Sequence, residues 1–324
     1  MRKLLVLSGA VVLFLASGNA VLAGRDDGKA LVRESDQTAD EVTAFWTPER
    51  LQAAEALLAA VPESDLRAAG ADERVLEKRI STPLFTSSRI VPQTADTAYP
   101  YSTVGRLTFT IPGQGTASCS AAVINRRLVL TAGHCVHRGS EDTLGFYSNF
   151  MFTPAYRNGA APFGTWTATA YSVTGAWAAG KGIYPNPGDF GVLEIADQGG
   201  KRIGDVTGWL GVLPNHLFPN IVTMLGYPSN IDGGKLMHQV VSQGIGPTGA
   251  RTYAYGSDMK GAGGGPWVQS FGIPGTGQSG PFNVIVGVTS FEVAGANEVS
   301  SSTFDAKVLA LVNQLCARKP GNCD

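Results

Sequence analysis

Leu128-Val129-Leu130-Thr131-Ala132-Gly133-His134-Cys135 is the stretch of this 324-residue chain that carries most information about its fold. An apolar, β-favouring run leads into a turn, and the turn presents a histidine beside a cysteine. By itself the stretch also reads as a turn histidine next to a structural half-cystine. Sixteen residues upstream stands Cys119, and the only other cysteines are Cys316 and Cys323. An even count favours two bridges over free thiols in an exported chain, and local pairing is the simplest arrangement: Cys119 with Cys135, Cys316 with Cys323.

Export is predicted from the first residues. Arg2 and Lys3 precede an apolar run over residues 4–15, and a small-residue stretch ends in Val21-Leu22-Ala23. The run is shorter than the roughly 20 residues of a membrane-spanning helix, so it reads as a signal peptide over 1–23, cut near Ala23. The expected location is secreted or periplasmic, with no membrane span after cleavage. A net charge of -1 with scattered basic residues gives no footprint for nucleic acid or an anionic membrane.

Downstream of the quoted stretch the texture is β-rich and charge-poor. Short apolar runs at 104–111, 121–130, 190–195, 221–226 and 284–288 alternate with Gly, Pro, Asn and Asp, which predicts an all-β barrel or sandwich. One helix is expected at the end, capped by Ser302 or Thr303 and carrying Val308, Leu311, Val312 and Leu315. Upstream the composition differs: residues 25–93 hold 13 of the 26 acidic and 9 of the 25 basic groups. Thr47 is suited to cap a helix with Pro48 and Glu49 in its first turn and Leu51, Ala54, Leu57 and Leu58 on one side until Pro62. A second helical stretch is expected over 66–76. Residues 24–92 therefore read as a charged helical prosegment, and 93–324 as the main domain. Lys78-Arg79 and Arg89, before Ile90-Val91, are candidate processing points.

Three segments in order carry a family resemblance: Thr131-Ala132-Gly133-His134-Cys135, Gly188-Asp189-Phe190-Gly191-Val192-Leu193, and Gly261-Ala262-Gly263-Gly264-Gly265-Pro266. Together they resemble the histidine, aspartate and nucleophile segments of trypsin-like serine proteases, of the bacterial secreted type related to glutamyl endopeptidases. The resemblance implies two packed six-stranded antiparallel β-barrels with a C-terminal helix. It also implies a Cys119–Cys135 bridge that pins the histidine loop. His134 would be the general base and Asp189 the carboxylate that orients it. Backbone N–H groups of Gly261 and Gly263 would form the oxyanion hole. Registering Gly-Gly-Pro puts Gly263 where the family has its serine, and a hydrogen cannot attack a carbonyl. Ser257, Ser270 and Ser279 stand outside that register.

The sequence departs from the family elsewhere. Ala262 replaces the aspartate that pairs with a new N-terminus in trypsins, so cleavage at Arg89 cannot activate by that ion pair. Glutamyl endopeptidases read acidic side chains with a histidine in the strand placed near Thr289, and none stands there. Asp258 lies near the trypsin pocket carboxylate, offset by one. The pair His134-x-x-His137 invites a metal, but zinc sites need three or four convergent ligands; no metal or cofactor is expected, and His216 and His238 read as surface or packing residues. The leading reading is a secreted, zymogen-like protease homologue, a pseudoprotease that binds a peptide or protein ligand. The alternatives are an active endopeptidase and an exported binding or structural protein.

Overall fold

The structure is a computed structural model and describes residues 29–73, 76, 85–272 and 282–323. The signal-peptide stretch 1–23, Lys78-Arg79 and Ser279 lie outside the described residues. In the N-terminal half the strands are β1 Leu31–Glu34, β2 Glu55–Ala56, β3 Ala59–Val61, β4 Phe85–Arg89, β5 Val104–Ile111, β6 Gly115–Val123, β7 Leu128–Thr131, β8 Ser148–Pro154 and β9 Trp166–Val173. They continue as β10 Gly191–Ile195, β11 Gly211–Val212, β12 Ile221–Gly226, β13 His238–Gly249, β14 Thr252–Gly256, β15 Pro266–Gln269, β16 Val284–Val288, β17 Phe291–Val293 and β18 Glu298–Ser302.

Six of these close on themselves. The ladder β8-β5-β6-β7-β10-β9 is antiparallel throughout and is sealed by β8 with β9, through Met151 opposite Thr167 and Phe152 opposite Trp166. Its interior is filled by Leu107, Phe109, Val129, Phe152 and Leu193, all buried. The second sheet runs β16-β15-β12-β13-β14-β18-β17 around Met224, Tyr255, Trp267 and Val299. Its far ends meet without a full ladder: the Val288 N–H donates to Ser301 Oγ at 3.0 Å, and the Ser290 N–H to the Ser300 carbonyl at 2.8 Å. The predicted all-β architecture is thus present, with one closed barrel and a second sheet that nearly closes.

The C-terminal helix spans Ala306–Cys316 and buries Val308, Leu311 and Leu315. Its cap is Asp305, whose carboxylate accepts from the Lys307 N–H at 2.8 Å, not Ser302 or Thr303. Ser302 is taken by the ladder to Thr252, and the Thr303 N–H by the Arg251 carbonyl, so neither is free to cap.

The N-terminal region is less helical than its pattern predicts. Helix α1, Ala39–Phe45, starts with a capping box in which Thr38 and Glu41 exchange hydrogen bonds. Helix α2, Pro48–Ala53, is capped by Thr47 as expected but stops short of Leu57 and Leu58. Residues beyond it pair instead with β6 and β17, because two sheet edges offer backbone partners that outweigh a marginal local propensity. Helix α3 covers Glu63–Ala68. β1 adds to β9 and β4 to β13, so this region is hydrogen-bonded into both sheets.

Both disulfides form between the locally paired cysteines, Cys119–Cys135 and Cys316–Cys323. The first ties β6 to the turn after β7, closing a loop of sixteen residues. Replacing both Cys119 and Cys135 by Ala is expected to lower unfolding stability in urea by about 3 kcal/mol, the loop-closure entropy returned to the unfolded chain. A midpoint unchanged from that of the oxidised parent would contradict this.

Candidate active site

Strand pairing brings His134 to Asp189. β10 runs antiparallel to β7 with Gly191 opposite Thr131, so the residues just past the end of β7 lie beside those just before β10. Asp189 is fully buried and accepts three hydrogen bonds: from the His134 backbone N–H at 2.8 Å, from His134 Nδ1 at 2.9 Å, and from Ser290 Oγ at 2.5 Å. An ionised carboxylate only accepts, so Nδ1 carries the proton and Nε2 presents a lone pair. That Nε2 is buried and has no hydrogen-bond partner. Trp177 and Tyr184 pack edge-on against the imidazole, at 6.2 and 6.1 Å between centroids. Burial, with the Asp189 charge adding to it, pushes the Tyr184 hydroxyl well above the ordinary tyrosine range and keeps it neutral.

The third segment arrives on the other side of the ring. A Cβ placed on Gly263 would stand 2.6 Å from His134 Nε2, so the glycine faces the unpartnered nitrogen. The loop is fixed by backbone bonds, with the Ser120 N–H donating to the Gly263 carbonyl at 2.7 Å and the Gly264 N–H to the Thr289 carbonyl at 2.8 Å. Gly264 has φ +76° and its missing Cβ would collide with Thr131 Oγ1 and the Ser120 carbonyl. Gly264→Ala is therefore expected to destabilise the fold by about 3 kcal/mol in chemical unfolding, strain and overpacking combined. A loss below about 1 kcal/mol would show that the loop relaxes freely.

Of the other serines, Ser257 Oγ accepts from the Met259 N–H and Ser270 lies in the turn after β15; neither bonds to His134.

No family model matches the sequence. A stretch of 144 residues is 29% identical to the glutamyl endopeptidase of Bacillus licheniformis, covering 44% of this chain and 40% of that protein. Another comparison, over 164 residues, is 27% identical to the extracellular metalloprotease of Bacillus subtilis, 49% of this chain and 48% of that protein. The fold superposes on the protease Anisep from Arthrobacter nicotinovorans with a TM-score of 0.60 and 24% identity, over 72% of this chain and 100% of that one. The chain is a relative of the trypsin-like serine proteases. Its matches span less than half the length of either curated relative.

In this trypsin-like relative, one residue of the site went unrecognised in the sequence. Ser290 follows the apolar strand β16 and supplies the third bond to Asp189; its signal was only a Thr-Ser-Phe after that strand. Thr289 accepts from the Trp267 indole N–H at 2.9 Å and so holds the glycine-rich loop over residues 261–266 against the second sheet. The Gly261 N–H faces the Glu292 carboxylate, where burial raises the carboxyl's pKa and both Lys260 and this N–H pull it down. Lys260 donates to the Ala296 carbonyl; burial lowers its pKa, opposed by Glu292, Glu298 and Asp258. Lys260 therefore sits within electrostatic reach of three carboxylates, Glu292, Glu298 and Asp258.

The remaining histidines are occupied elsewhere or exposed. His137 Nε2 donates to the Asp142 carbonyl at 2.5 Å and its Nδ1 accepts from the Gly139 N–H at 2.9 Å. His238 pairs with Asp232, which also binds Arg89, and His216 is on the surface. Ligand atoms of Cys119, His134 and Cys135 lie within 4.8 Å of one another, but both sulfurs belong to the disulfide, which leaves no thiolate for a metal. No helix among the described residues is long and apolar enough to cross a membrane.

Proposed function

We propose that this chain is an exported serine endopeptidase homologue that retains the base and its orienting carboxylate but lacks the nucleophile, and that it binds peptide without efficient hydrolysis. The observation that carries this reading is Gly263 facing the buried, unpartnered Nε2 of His134. A general base with no hydroxyl to deprotonate cannot start acyl transfer, whereas the Gly261 and Gly263 backbone N–H groups need no side chain to bind a carbonyl once the Gly261 N–H is released from the Glu292 carboxylate. Residues 1–23 are the export signal, 24–92 the prosegment and 93–324 the protease-like domain, with a peptide or protein as ligand. Secretion is supported by the two disulfides and by the name of the extracellular Bacillus subtilis relative.

The glutamyl preference named for the Bacillus licheniformis relative does not suit this cleft. Three carboxylates, Asp258, Glu292 and Glu298, outnumber the one Lys260 charge they surround, which disfavours an acidic side chain beside them. The second reading is an active endopeptidase, favoured by the intact chain of bonds from Ser290 to Asp189 to His134.

Hydrolysis of a mixed quenched-peptide library by the chain, run beside a Gly263→Ser variant, separates the two. Cleavage by the Ser variant alone supports a cleft disarmed at one side chain. Cleavage by the parent well above the uncatalysed background would overturn the assignment of Gly263 as the nucleophile position.

A further inference from the structure

Residues 54–62 cross the face of the candidate site from one sheet to the other. After α2, the Ala54 carbonyl is held by the buried Arg106 guanidinium at 2.9 Å, which also reaches the Leu51 carbonyl at 3.2 Å. β2 then lies parallel to β6, with Glu55 opposite Ala117 and Ala56 opposite Ser118, and the Leu57 N–H donates to the Ser118 carbonyl at 2.9 Å. Two residues later β3 lies parallel to β17, with Ala59, Ala60 and Val61 opposite Phe291, Glu292 and Val293. The Ala294 N–H closes the run on the Val61 carbonyl at 3.0 Å. Val61 and Leu66 are buried with Phe291 and Val293, which anchors the far end.

Between these two pairings the chain passes directly over the site. The Leu57 carbonyl oxygen occupies the space that a Cβ on Gly263 would need, and the Ala56 methyl stands 3.0 Å from where a Cβ on Gly261 would be. A peptide bound for attack must turn its carbonyl carbon to position 263 and its oxygen to the backbone donors. Here the oxygen itself points at position 263. The seated peptide is thus presented the wrong way for acyl transfer, and it covers His134 Nε2, which is buried and unbonded beneath it.

We infer that residues 54–62 are a built-in ligand of the cleft, an extended segment of small and aliphatic residues seated in a non-productive orientation, and that an external peptide binds only when this strap leaves. The inference rests on the reading of the cleft as a peptide site. It also gives the N-terminal region a definite role, that of occupying the cleft. The bonds from Arg106, Ser118 and Ala294 hold the strap there in cis, where its effective concentration exceeds that of any free competitor.

The test measures binding of a fluorescein-labelled peptide with the sequence of residues 54–62 to the full chain and to two strap variants, Ala60→Pro and Leu57→Pro. Leu57→Pro removes the N–H that donates to the Ser118 carbonyl, and Ala60→Pro, at an exposed position, fixes φ at about −65°, away from the roughly −120° of a parallel strand, so both loosen the strap without touching the walls of the cleft. Both variants are expected to bind the peptide at least tenfold more tightly than the parent. Equally tight binding by all three would overturn the strap while leaving the cleft as a peptide site; binding by none would overturn the cleft reading and the strap with it. Hydrogen exchange on the unaltered chain provides a measurement independent of variant folding. The Leu57 and Ala294 amides are expected to exchange at least a hundredfold more slowly than in an unstructured peptide, and rates equal to the unstructured ones would overturn the strap.

Discussion

Gly263→Ser is expected to raise peptide hydrolysis by at least about 10³-fold over the parent when combined with a strap-loosening change such as Ala60→Pro, and by less than about tenfold when the strap is intact. The upper scale comes from removing the nucleophile of such a triad, which costs on the order of 10⁶ in kcat. An installed serine recovers part of that range because His134, Asp189 and the loop backbone are already positioned. The dependence on the strap is steric. A Cβ on residue 263 would meet the Leu57 carbonyl oxygen and stand 2.6 Å from His134 Nε2, so the side chain fits only after the neighbours shift. Gly263 carries no positive φ and its backbone conformation accepts serine, which leaves the strap and the His134 imidazole as the neighbours that must shift. The check is initial rate on a quenched-peptide library for the parent, the single variants and the double variant. A fully active single variant would show that the strap yields readily, and an inert double variant would show that the oxyanion donors are misdirected.

Asp189→Ala is expected to destabilise the chain by about 3 kcal/mol in urea unfolding, an effect independent of any catalysis. The substitution leaves the His134 backbone N–H, the His134 Nδ1–H and the Ser290 hydroxyl without their shared acceptor in a buried site. Unsatisfied donors of that kind cost roughly 1–3 kcal/mol each, offset in part by no longer burying a carboxylate. Asp189→Asn keeps the volume and one acceptor oxygen, so it should recover about half of the loss. In the Gly263→Ser, Ala60→Pro background the same Asn is expected to lower kcat by about 10⁴-fold, because its amide NH₂ favours the imidazole tautomer that cannot accept a proton at Nε2. Equal stability of Asp189→Ala and the parent would mean that water replaces the carboxylate, and the buried network would then be of little consequence to the fold.

Much of this site was legible one segment at a time. The runs at 104–111 and 284–288 are strands over those same residues, since alternation and β-branching there agree with their tertiary surroundings. Thr47 caps its helix as its side chain dictates. His134, Asp189 and Gly263 could be proposed as a set because each sits at the end of a strand or in a glycine turn with a strong local signature. Ser290 had none: a serine after a strand is ordinary until the fold sets it against a buried carboxylate. The helix drawn through Leu57 and Leu58 failed for a related reason. Its apolar spacing is real, but the backbone there finds better partners in β6 and β17, more than 60 residues away.

The β architecture, the two local disulfides, the order of the three segments and the glycine at 263 are therefore written in the amino-acid order alone. They depend on side-chain chemistry, local periodicity or short loop closure, all encoded within a few residues of one another. Which donors surround the buried carboxylate, where the C-terminal helix is capped and what lies across the cleft emerge with the folded chain. Each of these is settled by competition among distant backbone groups for hydrogen-bond partners, and the outcome exists only once the sheets have formed.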